Sequence, residues 1–168
     1  MNRIDIDSWA NISREGWSAI LLGNGASIAI HKEFAYPTLH GVADAKGLLA
    51  TTAPIFARLG TTDFEHVLLA CWYAEHVNLA LGTPSADITA AYAEVRTALI
   101  EAVHSVHPVH ADVAADLQRV GAFASAFPTV VSLNYDLTLY WAMLLFNAAN
   151  GSWFKDAFHH GEFQTDWG

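Results

Sequence analysis

At 168 residues the chain is sized for one domain, and 53% apolar against 15% charged residues excludes a disordered segment. Eight Lys plus Arg against seventeen Asp plus Glu give a formal charge of −9, with no basic cluster to grip nucleic acid or an anionic membrane surface. One cysteine, Cys71, excludes a disulfide framework and a multi-cysteine zinc site.

The N-terminus is charged and mixed, and no apolar signal segment follows it, so a cytoplasmic protein is expected. Residues 5–15 read as a short helix ending at Gly16. Ser18–Leu22 is an apolar run that reads as a buried strand, turned at Gly23-Asn24-Gly25, with a helix from Ala26 to Lys32. Tyr36-Pro37-Thr38 and His40-Gly41 read as an irregular segment. Thr62 or Asp63 can cap a helix carrying Phe64, Val67, Leu68, Cys71 and Trp72 at helical spacing, stopped at Gly82-Thr83-Pro84. Ser85 or Asp87 opens a long helix with Ile88, Tyr92, Val95, Leu99, Val103 and Val106 on one face, ended by Pro108. A third helix covers about 111–124.

Thr129–Leu133 is β-branched and reads as a second buried strand, followed by Asn134-Tyr135-Asp136 and a helix over 137–148. Thr129–Ala149 is long enough to imitate a membrane span, but Asn134 and Asp136 inside it make that reading unfavourable. The aromatic tail carries Trp153, Phe154, Phe158, Phe163 and Trp167. Two strands do not make a stable open sheet. Further strands must therefore sit in 41–60 or the tail, or the sheet is incomplete at the C-terminus and the chain is the first part of a longer protein. The second is the expectation.

Two constellations could carry chemistry. Strand, then Gly23-Asn24-Gly25-Ala26-Ser27, then helix is the arrangement in which a pyrophosphate approaches a tight turn and a helix N-terminus, with the Ser27 hydroxyl as a further donor. The third glycine of the dinucleotide fingerprint is missing, Ile28 standing there, and a plain strand–helix turn remains open. Asn134 and Asp136 emerge at the C-terminal end of the second strand, where ligands of open α/β sheets bind. A simple helix cap at Asp136 is the alternative there.

Together the two motifs resemble the sirtuin-like NAD-consuming proteins, whose corresponding elements read Gly-Ala-Gly-x-Ser and Gln-Asn-x-Asp. The nearer resemblance is to a bacterial sirtuin-like family with a Gly-Asn-Gly-Ala-Ser loop, a Phe-Glu pair (here Phe64-Glu65) and an Asn-Tyr-Asp-Leu-x-x-Tyr-Trp segment (here Asn134 to Trp141). It spans about residues 18–158. The resemblance implies an α/β fold: a Rossmann-like, sirtuin-type parallel sheet in one domain over 1–168, with a large helical insertion at about 61–127. It also implies cleavage of NAD to nicotinamide and ADP-ribose, with a bacterial antiphage-defence role by analogy. Gly23, Asn24, Gly25, Ala26 and Ser27, with Tyr135 and Asp136, would bind NAD. Asn134 would position the ribose and water, and His160 of the His160-Gly161 pair would be the general base, the other place for that His lying beyond residue 168. Deacetylation is disfavoured, because the four-cysteine zinc module of sirtuin deacetylases cannot be built from Cys71 alone.

Two other readings stay open: a non-catalytic sensor of NAD or ADP-ribose, and a protein-interaction module. A homo-oligomer is expected, with no metal, nucleic acid or membrane. His104, His107 and His110 are broken up by Pro108 and are expected as exposed helix-end residues. His66 and Glu75-His76 should face solvent. Trp72, Trp141 and Trp153 should be core, and Cys71 an inert buried thiol.

Overall fold

Ala19–Leu22 (β1) and Thr129–Ser132 (β2) pair in parallel, in the register Ala19 to Thr129 through Leu22 to Ser132. A parallel pair needs a long crossover, and here helices joined by turns supply it. The structure, a computed structural model, describes Ala10, residues 16–159 and residues 162–163. The predicted helix over 5–15 (Ala10 apart), Trp167 and the His160-Gly161 pair lie outside the described residues.

After β1 come α1 (Asn24–Ile30), a 3-10 turn (Lys32–Phe34), α2 (Tyr36–Ala45), α3 (Ala53–Leu59), α4 (Phe64–Leu81), α5 (Ala86–Val106) and α6 (His110–Ala124). After β2, α7 (Thr138–Asn150) leads to a two-residue antiparallel pair, β3 (Phe158–His159) and β4 (Glu162–Phe163). The fold is thus mixed α/β, mostly helical, with a small two-stranded parallel sheet.

Apolar periodicity explains the main core. Phe64, Val67 and Cys71 of α4 and Val95, Leu99 and Val103 of α5 are buried against one another, with Phe34, Leu39, Leu49 and Phe56 completing the cluster. Each such side chain contributes roughly 1.5–3 kcal/mol on leaving water. A second, smaller cluster joins Val113 and Leu117 of α6 to Ala142 of α7. There Gly121 brings α6 close to α7: a Cβ at that position would lie 3.0 Å from the Ala142 carbonyl oxygen.

Several expectations change. The segment read as irregular is helix α2, because Pro37 falls in its first turn, where a missing N–H costs nothing. The stretch 41–60 holds helix and turn instead of a hidden strand. The strands are not fully buried. Ile20, Leu22 and Val130 turn inward, while Leu21 is 62% and Val131 45% exposed, since helices cover one face only, whereas parallel sheets are usually covered on both. Trp72 (45%) and Trp153 (60%) are exposed, and Trp141 is half-buried. Among the described residues no helix is long and apolar enough to cross a membrane.

Candidate functional site

Both motifs arrive at the same edge of the sheet because β1 and β2 are neighbours and parallel, so their C-terminal ends coincide. Gly23 is the N-cap of α1, with extended backbone (φ −107°, ψ −172°), and its carbonyl accepts from Ala26 N–H at 2.9 Å. A Cβ at Gly23 or Gly25 would meet nothing within 4 Å. Neither packing nor a left-handed backbone therefore requires glycine there, and bare main chain faces open space.

Ser27, fully buried on the first turns of α1, joins the motifs. Its Oγ accepts from Asn134 Nδ2 at 2.7 Å and donates to Asp136 Oδ2. The other Asp136 oxygen accepts from Thr138 N–H at 2.8 Å and from the Thr138 hydroxyl. Asn134, Ser27, Asp136 and Thr138 thus form one network that converges on the Asp136 carboxylate and links the turn after β1 to the start of α7. The expected role of Ser27 as a donor to pyrophosphate does not fit this geometry: its one proton is spent on Asp136. Asn24 also faces the cleft, with Nδ2 donating to the Phe34 carbonyl at 3.1 Å. Tyr135 is 58% exposed and stands at the rim, and Ala26 is half-buried.

The cleft below these groups is narrow, about 20 Å³, and partly open to solvent. Tyr36, Leu39 and Glu65 line its far side. Glu65 sits in the first turn of α4, beside the N-cap Asp63, whose Oδ1 accepts from His66 N–H at 3.1 Å. Burial pushes the Glu65 carboxyl above its ordinary value, helped by Asp63 and opposed by the Tyr36 hydroxyl. Burial, then Glu65, holds the Tyr36 phenol well above its ordinary value, and the same pair of causes raises Tyr135. Two buried acceptors, Glu65 Oε2 and Asn134 Oδ1, have no hydrogen-bonding partner among the described residues. Each such group costs on the order of 1–3 kcal/mol, so an arrangement that leaves two in one cleft is unusual.

Glu65 and Tyr36 were the residues sequence reasoning left without a role. The Phe64-Glu65 pair was visible as a motif, but only the approach of α2 and α4 to the sheet edge brings it to Asn134. His107 is also not the exposed residue expected. It is half-buried, with Phe34 at 5.6 Å and Trp141 at 4.7 Å ring to ring, and its Nε2 accepts from Leu137 N–H at 3.1 Å. It thereby fixes the start of α7. His104 and His110 are exposed. No group of three or more His, Cys, Asp or Glu among the described residues is placed to hold a metal.

Comparison with known families gives one match: residues 20–168 fit a domain of unknown function, DUF4917. The chain belongs to that family. The match covers both motifs, the whole helical segment and the tail. No curated protein and no solved structure matches the chain.

Proposed function

We propose that this DUF4917 domain binds NAD, or a related ADP-ribose derivative, at the cleft and hydrolyses the bond between nicotinamide and ribose. In this reading the two strands are the nucleotide-binding edge of a Rossmann-like, sirtuin-type sheet. One observation carries it: Asn134 and Ser27, from opposite ends of the chain, are hydrogen-bonded at the coincident C-terminal ends of two parallel strands. That edge is where ligands of parallel sheets bind.

The reaction adds water across the C1′–N bond. Nicotinamide leaves as a neutral base with the electron pair of that bond, the water oxygen bonds to C1′, and one proton is released. The leaving group needs no acid; the demand falls on positioning the ribose and relieving charge at an oxocarbenium-like carbon. Asn134 suits the positioning, since Ser27 fixes its amide and leaves Oδ1 directed at the cleft. Asp136, with both oxygens committed, keeps the loop rigid and takes no part in proton transfer. The bare main chain at Gly23, Asn24 and Gly25 leaves room for the rest of the dinucleotide.

The test is nicotinamide release from NAD by the purified chain beside an Asn134→Ala variant. Release that falls at least about 100-fold in the variant supports hydrolysis, the size expected for removing a positioning group. NAD that raises the melting temperature without being cleaved supports the sensor reading. Neither release nor stabilisation would sink the nucleotide reading.

A further inference from the structure

Once the network at the cleft is drawn, several of its donors are committed. One Asn134 Nδ2 proton is given to Ser27, the Ser27 proton to Asp136 and one Asn24 Nδ2 proton to Phe34. Two acceptors are left unmatched: Asn134 Oδ1 from the β2 side and Glu65 Oε2 from the α4 side, both buried and both unpartnered among the described residues. Asp136 adds negative charge, and among the described residues no Lys or Arg lines this cleft. Two unmatched acceptors in one cleft suit a group that donates twice.

We infer that Glu65 Oε2 and Asn134 Oδ1 receive the two hydroxyls of a ribose cis-diol, which makes Glu65 the carboxylate that holds the ligand's sugar. This rests on the nucleotide reading above and assigns it a residue the motifs did not. NAD offers the same diol twice, on the nicotinamide ribose and on the adenosine ribose. If the former is held, positive charge growing at C1′ makes the hydroxyl protons more acidic and the bonds to Glu65 stronger in the transition state. Tyr36 and Asp63 face Glu65 and orient its carboxyl as positioning residues.

The test is a cycle on the full chain with NAD and two analogues, one lacking the 2′-hydroxyl of the nicotinamide ribose and one lacking that of the adenosine ribose. Each is measured for Kd, KM and kcat with the unaltered protein and with Glu65→Ala. Removing the hydroxyl or the carboxylate should each weaken binding or turnover roughly 10-fold or more, with little further loss when both are removed, because they are partners in one bond. The analogue that shows this non-additivity identifies which ribose is held. A merely structural Glu65 would lower Tm and leave the two losses multiplying, which overturns the inference while NAD binding stands. Should Glu65→Ala fail to fold, Glu65→Gln and the analogue series on the unaltered chain decide, since both analogues binding as tightly as NAD is enough to reject the diol. If NAD does not bind at all, adenosine and ribose 5-phosphate are the probes. Stabilisation by these, lost in Glu65→Gln, keeps the diol site and rejects the NAD reading; no stabilisation rejects both.

Discussion

Asn134 Nδ2 donates to Ser27 Oγ at 2.7 Å across 107 positions of sequence. Because Ser27 passes its own proton to Asp136, a single buried hydroxyl sets the orientation of both polar residues at the end of β2. The direction of each bond follows: the amide must donate, so its oxygen is the atom left facing the cleft.

Ser27→Ala removes the shared partner of a buried amide and a carboxylate. Leaving both unsatisfied should cost about 2 kcal/mol and lower Tm by roughly 4–8 °C, with nicotinamide release lost alongside. Thermal melts of Ser27→Ala and Ser27→Thr check this. A variant that melts like the unaltered chain would mean that the hydroxyl carries no structural load.

Glu65 has a carboxyl held above its ordinary value of 4.5 by burial first. The folded chain therefore binds this proton more tightly than the unfolded one, and stability falls as pH rises from 4.5 through the folded value. Glu65→Gln lifts that penalty: Tm should exceed that of the unaltered chain at pH 7, and the gap should close below pH 4.5. Activity should move the opposite way, the trade expected at a site that gives up stability for binding. Melting curves across pH decide it, and a variant less stable at pH 7 would contradict the account.

Glu94 on α5 shows the reverse sign. Its carboxylate accepts from Thr52 N–H at 3.1 Å, from the Thr52 hydroxyl at 2.9 Å, from Thr51 N–H at 3.0 Å and from the Thr51 hydroxyl. These bonds, that of the Thr51 side chain foremost, hold it below 4.5. Its contribution is present above 4.5 and is lost as pH falls through the folded value. Glu94→Gln should lower Tm at pH 7 by roughly 2–4 °C, about 1 kcal/mol, with the difference vanishing in acid. No activity change should accompany it, since Glu94 anchors the turn before α3 and lies outside the cleft.

Gly121→Ala places a methyl 3.0 Å from both the Ala142 carbonyl oxygen and Phe146 Cβ. The helices must part by a few tenths of an ångström, at about 1–3 kcal/mol, despite the better helix propensity of alanine. Chemical denaturation of this one variant is sufficient. A stabilised Gly121→Ala would show that α6 and α7 pack less tightly than described.

Legibility from sequence divided by the kind of interaction. The Asp63 cap, the Phe64–Val67–Cys71 and Val95–Leu99–Val103 faces and both strands of the parallel pair were readable, because each is set by neighbours within one or two turns of chain. Helix α2 was not, since Pro37 and Gly41 are breakers in mid-helix but tolerated near a first turn or on an exposed face. Trp72 fell on the predicted apolar face yet is exposed, because which flank of that face is covered depends on how α5 crosses α4.

Local spacing and capping fixed the long helices α4 to α7, the two strands and the polar residues at their ends. What those polar residues do was set by how distant elements pack. Ser27 became a joint and lost its role as a free donor, His107 became a fastener for α7, and Glu65 came to share a cleft with Asn134. The physical reason is that a hydrogen bond is spent once. Which groups are already committed, and which are left for a ligand, depends on how distant elements meet, and no local pattern carries that information.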